Sequence, residues 1–83
     1  MQFRFTNHAK EKLLSIRKAG FLVLQITVEK TIVKPIKVDR RPDGTFIATS
    51  IFDKTHVLRV VYRHEDDIII IITFYPGRRK AYL

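Results

Sequence analysis

The hydrophobic positions of this chain change period along its length. Phe3 and Phe5 alternate with Gln2 and Arg4, which predicts a short first strand. Ala9, Leu13 and Ile16 then recur at four- and three-residue spacing and share one helix face, with Lys10, Lys12, Arg17 and Lys18 around the rest. Thr6 or Asn7 is placed to cap that helix, since either side chain can accept a hydrogen bond from a free N–H. Gly20 is its natural stop, with cations at 17 and 18 suited to the last turn. Phe21 to Thr31 carries two signals. Its β-branched residues favour strand, whereas its length and the spacing of Phe21, Leu24 and Val28 favour a second helix, which is the expectation adopted.

From Pro35 onward the period is two. Ile36-Lys37-Val38-Asp39-Arg40 and Phe46 to Asp53 flank Asp43-Gly44, a hairpin turn signal. Asp53 to His56 closes a second turn, and His64 to Asp67 a third, where three acids resist burial. The runs HVLRVVYRH and DIIIIITFY supply the last two strands, and Pro76-Gly77 is expected to break the second of them before the tail RRKAYL. The order predicts an α+β fold, β-α-α-β-β-β-β, with two helices packed on one face of a twisted antiparallel sheet. A single domain spans 1–83, with no repeat, low-complexity segment or linker.

Pairing 41 with 46, 53 with 56 and 64 with 68 sorts the side chains between two faces. Ile36, Val38, Ile47, Ile51, Leu58, Val60, Tyr62, Ile68, Ile70, Ile72 and Phe74 should pack under the helices. Lys37, Asp39, Arg41, Ser50, Arg59, Arg63, Thr73 and Tyr75 should occupy the other face, among Phe46, Phe52, Val57, Val61, Ile69 and Ile71. Ser50, Arg59 and Thr73 then form a row across three strands.

Composition narrows the partners. Sixteen Lys and Arg stand against eight Asp and Glu, a net charge of +8 in 83 residues. That balance favours an acidic partner: nucleic acid, an acidic protein or an anionic surface. No cysteine is present, so neither disulfides nor thiolate metal sites can brace the fold, and packing by the 46% hydrophobic residues must suffice. The longest apolar run, Ile68 to Ile72, is far too short to cross a bilayer. No apolar signal core follows Met1, so the expected location is cytoplasmic, with no membrane partner.

Several chemistries lack their residues. There is no Gly-rich phosphate loop, no Gly-x-Ser-x-Gly elbow, and no metal-ligand spacing among the three histidines. A metal-free, cofactor-free ribonuclease remains open, because RNA supplies its own nucleophile, the 2′-hydroxyl. The protein need only move protons and stabilise charge on phosphorus. Arg59 interrupts an otherwise apolar strand. It is either a phosphate clamp or a solvated arginine whose stem covers its neighbours. His8 falls in the first turn of the first helix, as a general base or as an ordinary surface histidine. Arg78, Arg79 and Lys80, interleaved with Tyr75 and Tyr82, suit RNA if the tail docks: charge holds the backbone and rings stack on bases. Otherwise they form a frayed basic terminus.

Phe5-Thr6-Asn7-His8-Ala9, Lys12-Leu13, Leu58-Arg59-Val60-Val61-Tyr62 and Ile71-Ile72-Thr73-Phe74-Tyr75-Pro76 together resemble an uncharacterised bacterial family. That family is usually placed in the RelE/ParE toxin superfamily, near the BrnT toxins, and the resemblance covers nearly the whole chain. It implies the same order of elements, cleavage of messenger RNA (often on the ribosome) and silencing by an antitoxin that wraps the toxin. By position it implies Lys37, Arg59, Arg78 and Tyr82 as site residues, with Tyr75 the alternative tyrosine. The ParE branch implies gyrase inhibition instead.

Three readings follow. In the first, the chain is the toxin of a type II toxin–antitoxin pair and a metal-independent endoribonuclease. Arg59 and Arg78 stabilise the phosphorane, and Tyr82, Tyr75 or His8 exchange protons. Lys37, Arg41, Arg63, Thr73, Arg79 and Lys80 hold RNA. In the second, it binds RNA, ribosome or a protein target without catalysis. In the third, it keeps the toxin fold without toxicity.

Overall fold

The computed structural model describes residues 1–83. Its elements run β1 (Gln2–Phe5), α1 (Asn7–Lys18), α2 (Gln25–Val33), β2 (Lys37–Arg40), β3 (Phe46–Ile51), β4 (His56–Glu65), β5 (Ile68–Arg78) and α3 (Arg79–Tyr82). The strands form one five-stranded sheet in the order β1-β5-β4-β3-β2. β2 to β5 pair antiparallel, as expected, but β1 lies parallel to β5, so the sheet is mixed rather than antiparallel.

Helix α1 begins and ends for the local reasons its sequence carries. Thr6 is the cap, not Asn7: its hydroxyl accepts from the Ala9 N–H at 3.1 Å. The same hydroxyl donates to the Ile72 carbonyl at 3.0 Å, and the Thr6 N–H donates to Ile71. One residue thus caps α1 and ties it to β5. At the other end Gly20 takes φ 97, and Gly20 N–H to Arg17 and Phe21 N–H to Ile16 close a Schellman motif.

The second helix starts at Gln25, four residues later than Phe21. After the reversal at Gly20 the Val23 N–H donates to Phe21, and Phe21 and Val23 turn inward at alternate positions while Leu22 and Leu24 stay exposed. Period two governs that segment, and helical bonding begins with Thr27 and Val28 donating to Leu24.

The register differs from the expected pairing in every hairpin, by one residue next to each turn and by two on β5 from Thr73 onward. The first two turns hold three residues each, closed by Arg41 N–H to Thr45 and by Phe52 N–H to His56. In each an Asp side chain sets the turn. Asp43 accepts from the Thr45 N–H and hydroxyl, and Asp53 from the Thr55 and His56 N–H groups. These bonds hold both carboxyls below the ordinary value, chiefly through the Thr45 hydroxyl at Asp43 and the Thr55 N–H at Asp53. Their contribution is present above the unfolded-state value and is lost as pH falls through the lower folded-state one. The third turn is the pair Asp66-Asp67, with Asp66 at φ 55.

Arg40 therefore pairs with Phe46, Ala48 with Val60, and Ser50 with Leu58. The helix-side face carries Phe46, Ala48 and Phe52, in place of the expected Ile47 and Ile51, together with Leu58, Val60 and Tyr62. On β5 the alternation itself shifts. Val61 pairs with Thr73 but Tyr62 with Ile71, so Ile72 is an extra, bulged residue. The bulge keeps Ile69 and Ile71, in place of the expected Ile68, Ile70 and Ile72, in the core together with Phe74, which was expected there. It also turns the Ile72 carbonyl toward Thr6.

Pro76-Gly77 does not end β5. Pro76 pairs with Leu58, Gly77 with Val57 and Arg78 with His56. β1 flanks β5 only as far as Ile71, so beyond it β5 is an edge, where a residue without N–H is tolerated. The tail then turns back as α3.

Replacing Thr6 by Ala should lower stability by about 1–2 kcal/mol in urea denaturation. Asn7→Ala, whose side chain makes no hydrogen bond, should change it by less than about 0.5 kcal/mol.

Candidate nucleic-acid interface

Because the pairs run odd to odd, four residues line up across the sheet face that α1 and α2 leave uncovered: Lys37, Thr49, Arg59 and Tyr75. Arg59 is at the centre and only 7% exposed, the one buried charged residue of the chain. Its Nε donates to the Tyr75 hydroxyl at 3.1 Å and its Nη1 to the Thr49 hydroxyl at 3.3 Å. The Tyr82 ring lies over the guanidinium, with its centroid 4.1 Å from Cζ, and the Tyr75 centroid is at 5.9 Å.

No carboxylate reaches this cation. The chain's ion pairs are Lys37–Asp39 at 4.0 Å, Asp53–His56 and Arg63–Glu65. On the Arg59 face, Lys37 and Arg63 thus have acids beside them and Arg59 has none. A guanidinium stays charged at any accessible pH and carries five N–H donors. Two are spent on Tyr75 and Thr49, which leaves one N–H on Nη1 and both on Nη2. No side-chain nitrogen or oxygen is both sealed from solvent and unpaired, so Nη2 keeps contact with water. The two N–H groups on Nη2 are thus without a protein partner and in contact with solvent, as donors available to the oxygens of an anion such as phosphate.

The tail reaches this site through backbone bonds. The Arg79 N–H donates to Thr55 and its Nη1 to the Lys54 carbonyl at 3.2 Å. The second hairpin turn thereby holds α3. Gly77 makes room for Tyr82: a Cβ there would stand 2.5 Å from the ring.

The expected site residues divide. Arg59, Tyr75, Tyr82 and Lys37 come together. Thr73 lies on the same face one row away, opposite Val61, and its hydroxyl meets His8 Nε2 at 3.1 Å. His8 is exposed in the first turn of α1, within reach of this face through Thr73. Arg63 lies farther along β4, paired with Glu65. Arg41 sits at the tip of the first hairpin with Arg40 and Pro42. Arg78 does not join Arg59. It pairs with His56, whose ring packs edge-on against Phe21 at 5.0 Å, and so occupies the helix-side alternation. Arg79 is committed to holding the tail, and Lys80 is exposed. Ser50 also leaves the row: it faces the helices and shares a 2.7 Å hydrogen bond with Thr31. Thr49 takes its place, with a side chain of nearly the same chemistry, and register alone distinguishes them.

A groove of ≈ 640 Å³ lies elsewhere, lined by Ile26, Thr27, Val33, Ser50 and Ile51 among others. No group of three His, Asp or Glu side chains forms a metal-binding set. No helix is long and apolar enough to cross a membrane. Comparison with protein-family models, curated proteins and solved structures returns no match.

Hydroxyls and aromatic rings around a buried charge that has no counter-ion recover only part of its desolvation cost. Arg59→Met, which keeps the stem and removes the charge, should therefore preserve stability or raise it by up to about 1–4 kcal/mol in chemical denaturation. A loss of more than about 2 kcal/mol would instead make the guanidinium a net structural element.

Proposed function

We propose that this chain binds single-stranded RNA across the Arg59 face and cleaves it without a metal, as the toxin of a toxin–antitoxin pair. The observation that carries the reading is Arg59 itself. It is a buried cation, fixed by two hydroxyls, free of carboxylates, with both N–H groups of Nη2 left without a protein partner. The net charge of +8 supports attraction of a polyanion, and the resemblance to RelE-like toxins supports the biological role.

The chemistry can be assigned to named groups. Arg59 holds the scissile phosphate end-on and stabilises the charge that builds on its oxygens. Lys37, across Thr49, adds a second positive charge from an exposed and flexible position. His8, held by Thr73, takes the proton of the 2′-hydroxyl as O2′ bonds to phosphorus. The Tyr75 hydroxyl accepts from Arg59 and keeps its own proton, which passes to O5′ as the P–O5′ bond breaks. The products are a 2′,3′-cyclic phosphate and a 5′-hydroxyl, and solvent resets both protein groups. DNA, lacking the 2′-hydroxyl, binds but is not cut.

One observation favours a second reading, binding without cleavage. Tyr75, Thr49 and Tyr82 immobilise and cover the guanidinium, and a clamp needs no more than that.

Incubation of purified protein with single-stranded RNA in EDTA separates the two. Wild type should yield cyclic-phosphate ends, and Arg59→Ala should lose about 10²-fold or more of the rate. Salt-sensitive binding without product would establish the second reading. Absence of binding at low salt would overturn both.

A further inference from the structure

The face of the Arg59 guanidinium already holds an aromatic ring, and the manner of its attachment is informative. Tyr82 is one residue from the end of the described chain and lies on α3, four residues with no buried side chain. The hydrogen bonds that dock α3 to the sheet are made by Arg79, at its first position. Tyr82 itself makes no side-chain hydrogen bond with the rest of the protein. What holds its ring in place is contact with the Arg59 guanidinium and with the backbone at Gly77. A ring so placed can leave while Arg79 stays docked.

We propose that Tyr82 occupies a nucleobase subsite: an unpaired base of the bound RNA displaces the ring and stacks on Arg59 in its place. The inference rests on the phosphate-binding role given to Arg59 and adds the substrate class, a nucleotide with an unstacked base. Guanidinium planes stack on nucleobases as they do on tyrosine. The two demands on Arg59 are compatible, because the base takes the face of the guanidinium and the phosphate takes its edge. Paired bases cannot reach the face without leaving their stack, so Tyr82 acts as a selector for single strands. Three residues determine the exchange. Thr49 and Tyr75 keep the guanidinium plane fixed when Tyr82 departs. Gly77 sets how firmly Tyr82 sits, since any Cβ there would push the ring off.

The test titrates the isotopically labelled full chain separately with adenosine 5′-monophosphate and inorganic phosphate, following the Arg59 Nε–H and Tyr82 ring signals by NMR. Adenosine monophosphate should bind about tenfold more tightly than phosphate and shift the Tyr82 ring toward its solvent-exposed position. Tyr82→Ala should strengthen nucleotide binding by about fivefold, with phosphate affinity changed by less than about twofold, since only stacking is contested. Gly77→Ala should act in the same direction with Tyr82 still present. Phosphate binding with no added affinity for the nucleotide and an undisturbed Tyr82 would overturn the subsite while leaving the phosphate seat intact. Weaker nucleotide binding by Tyr82→Ala would also overturn it and make Tyr82 part of the binding surface. If neither ligand moves the Arg59 signal in any variant, the phosphate seat fails and the subsite with it.

Discussion

A guanidinium cannot shed its charge, so burying Arg59 obliges its surroundings to be electron-rich. The chain meets that demand without a carboxylate. Two hydroxyl oxygens and two aromatic rings take its place, contributed by β3, by β5 and by the turned-back tail. Stacking on a desolvated cation is worth about 2 kcal/mol, well short of what a full charge loses on leaving water. The hydrogen bonds to Tyr75 and Thr49 and the solvent contact of Nη2 offset part of the remainder.

This arrangement depends on pairing register more than on any single contact. Three-residue turns at Pro42–Gly44 and Asp53–Thr55 bring odd-numbered residues opposite one another, so Lys37, Thr49 and Arg59 share a row. The bulge at Ile72 then corrects β5. Before it, Ile69 and Ile71 face the helices. After it, Phe74 does, which frees Thr73 and Tyr75 for the Arg59 face. Thr6 binds the bulge carbonyl and caps α1, so the start of the first helix and the geometry of the site are fixed by one side chain.

Much of this was legible in the residues, and the misses have physical causes. Local signals carried well: an α1 cap at Thr6 or Asn7, the stop at Gly20 and the Asp-led turns rest on hydrogen bonds between near neighbours. Arg59, Tyr75 and Tyr82 stood out as polar groups on or after an apolar hairpin. The exchange of Ser50 for Thr49 turned on a single residue of turn length, which composition does not encode. The Ile72 bulge hid inside an isoleucine run, where every register looks equally apolar. The parallel pairing of β1 with β5 joins segments far apart in sequence and has no local signature. Arg78 was drawn into the site by its charge, although the continuation of β5 through Pro76-Gly77 places it on the other alternation.

The proposed RNA contact at Arg59 is the claim on which the functional reading stands. Amide and arginine side-chain chemical-shift mapping with a short 2′-O-methyl oligouridylate, which binds but cannot be cleaved, addresses this directly. The largest shifts should fall on the Arg59 Nε–H and on Lys37, Thr49, Thr73 and Tyr75, weakening as salt rises. Shifts confined to the exposed cations of the first hairpin tip and α1, with Arg59 unmoved, would contradict it.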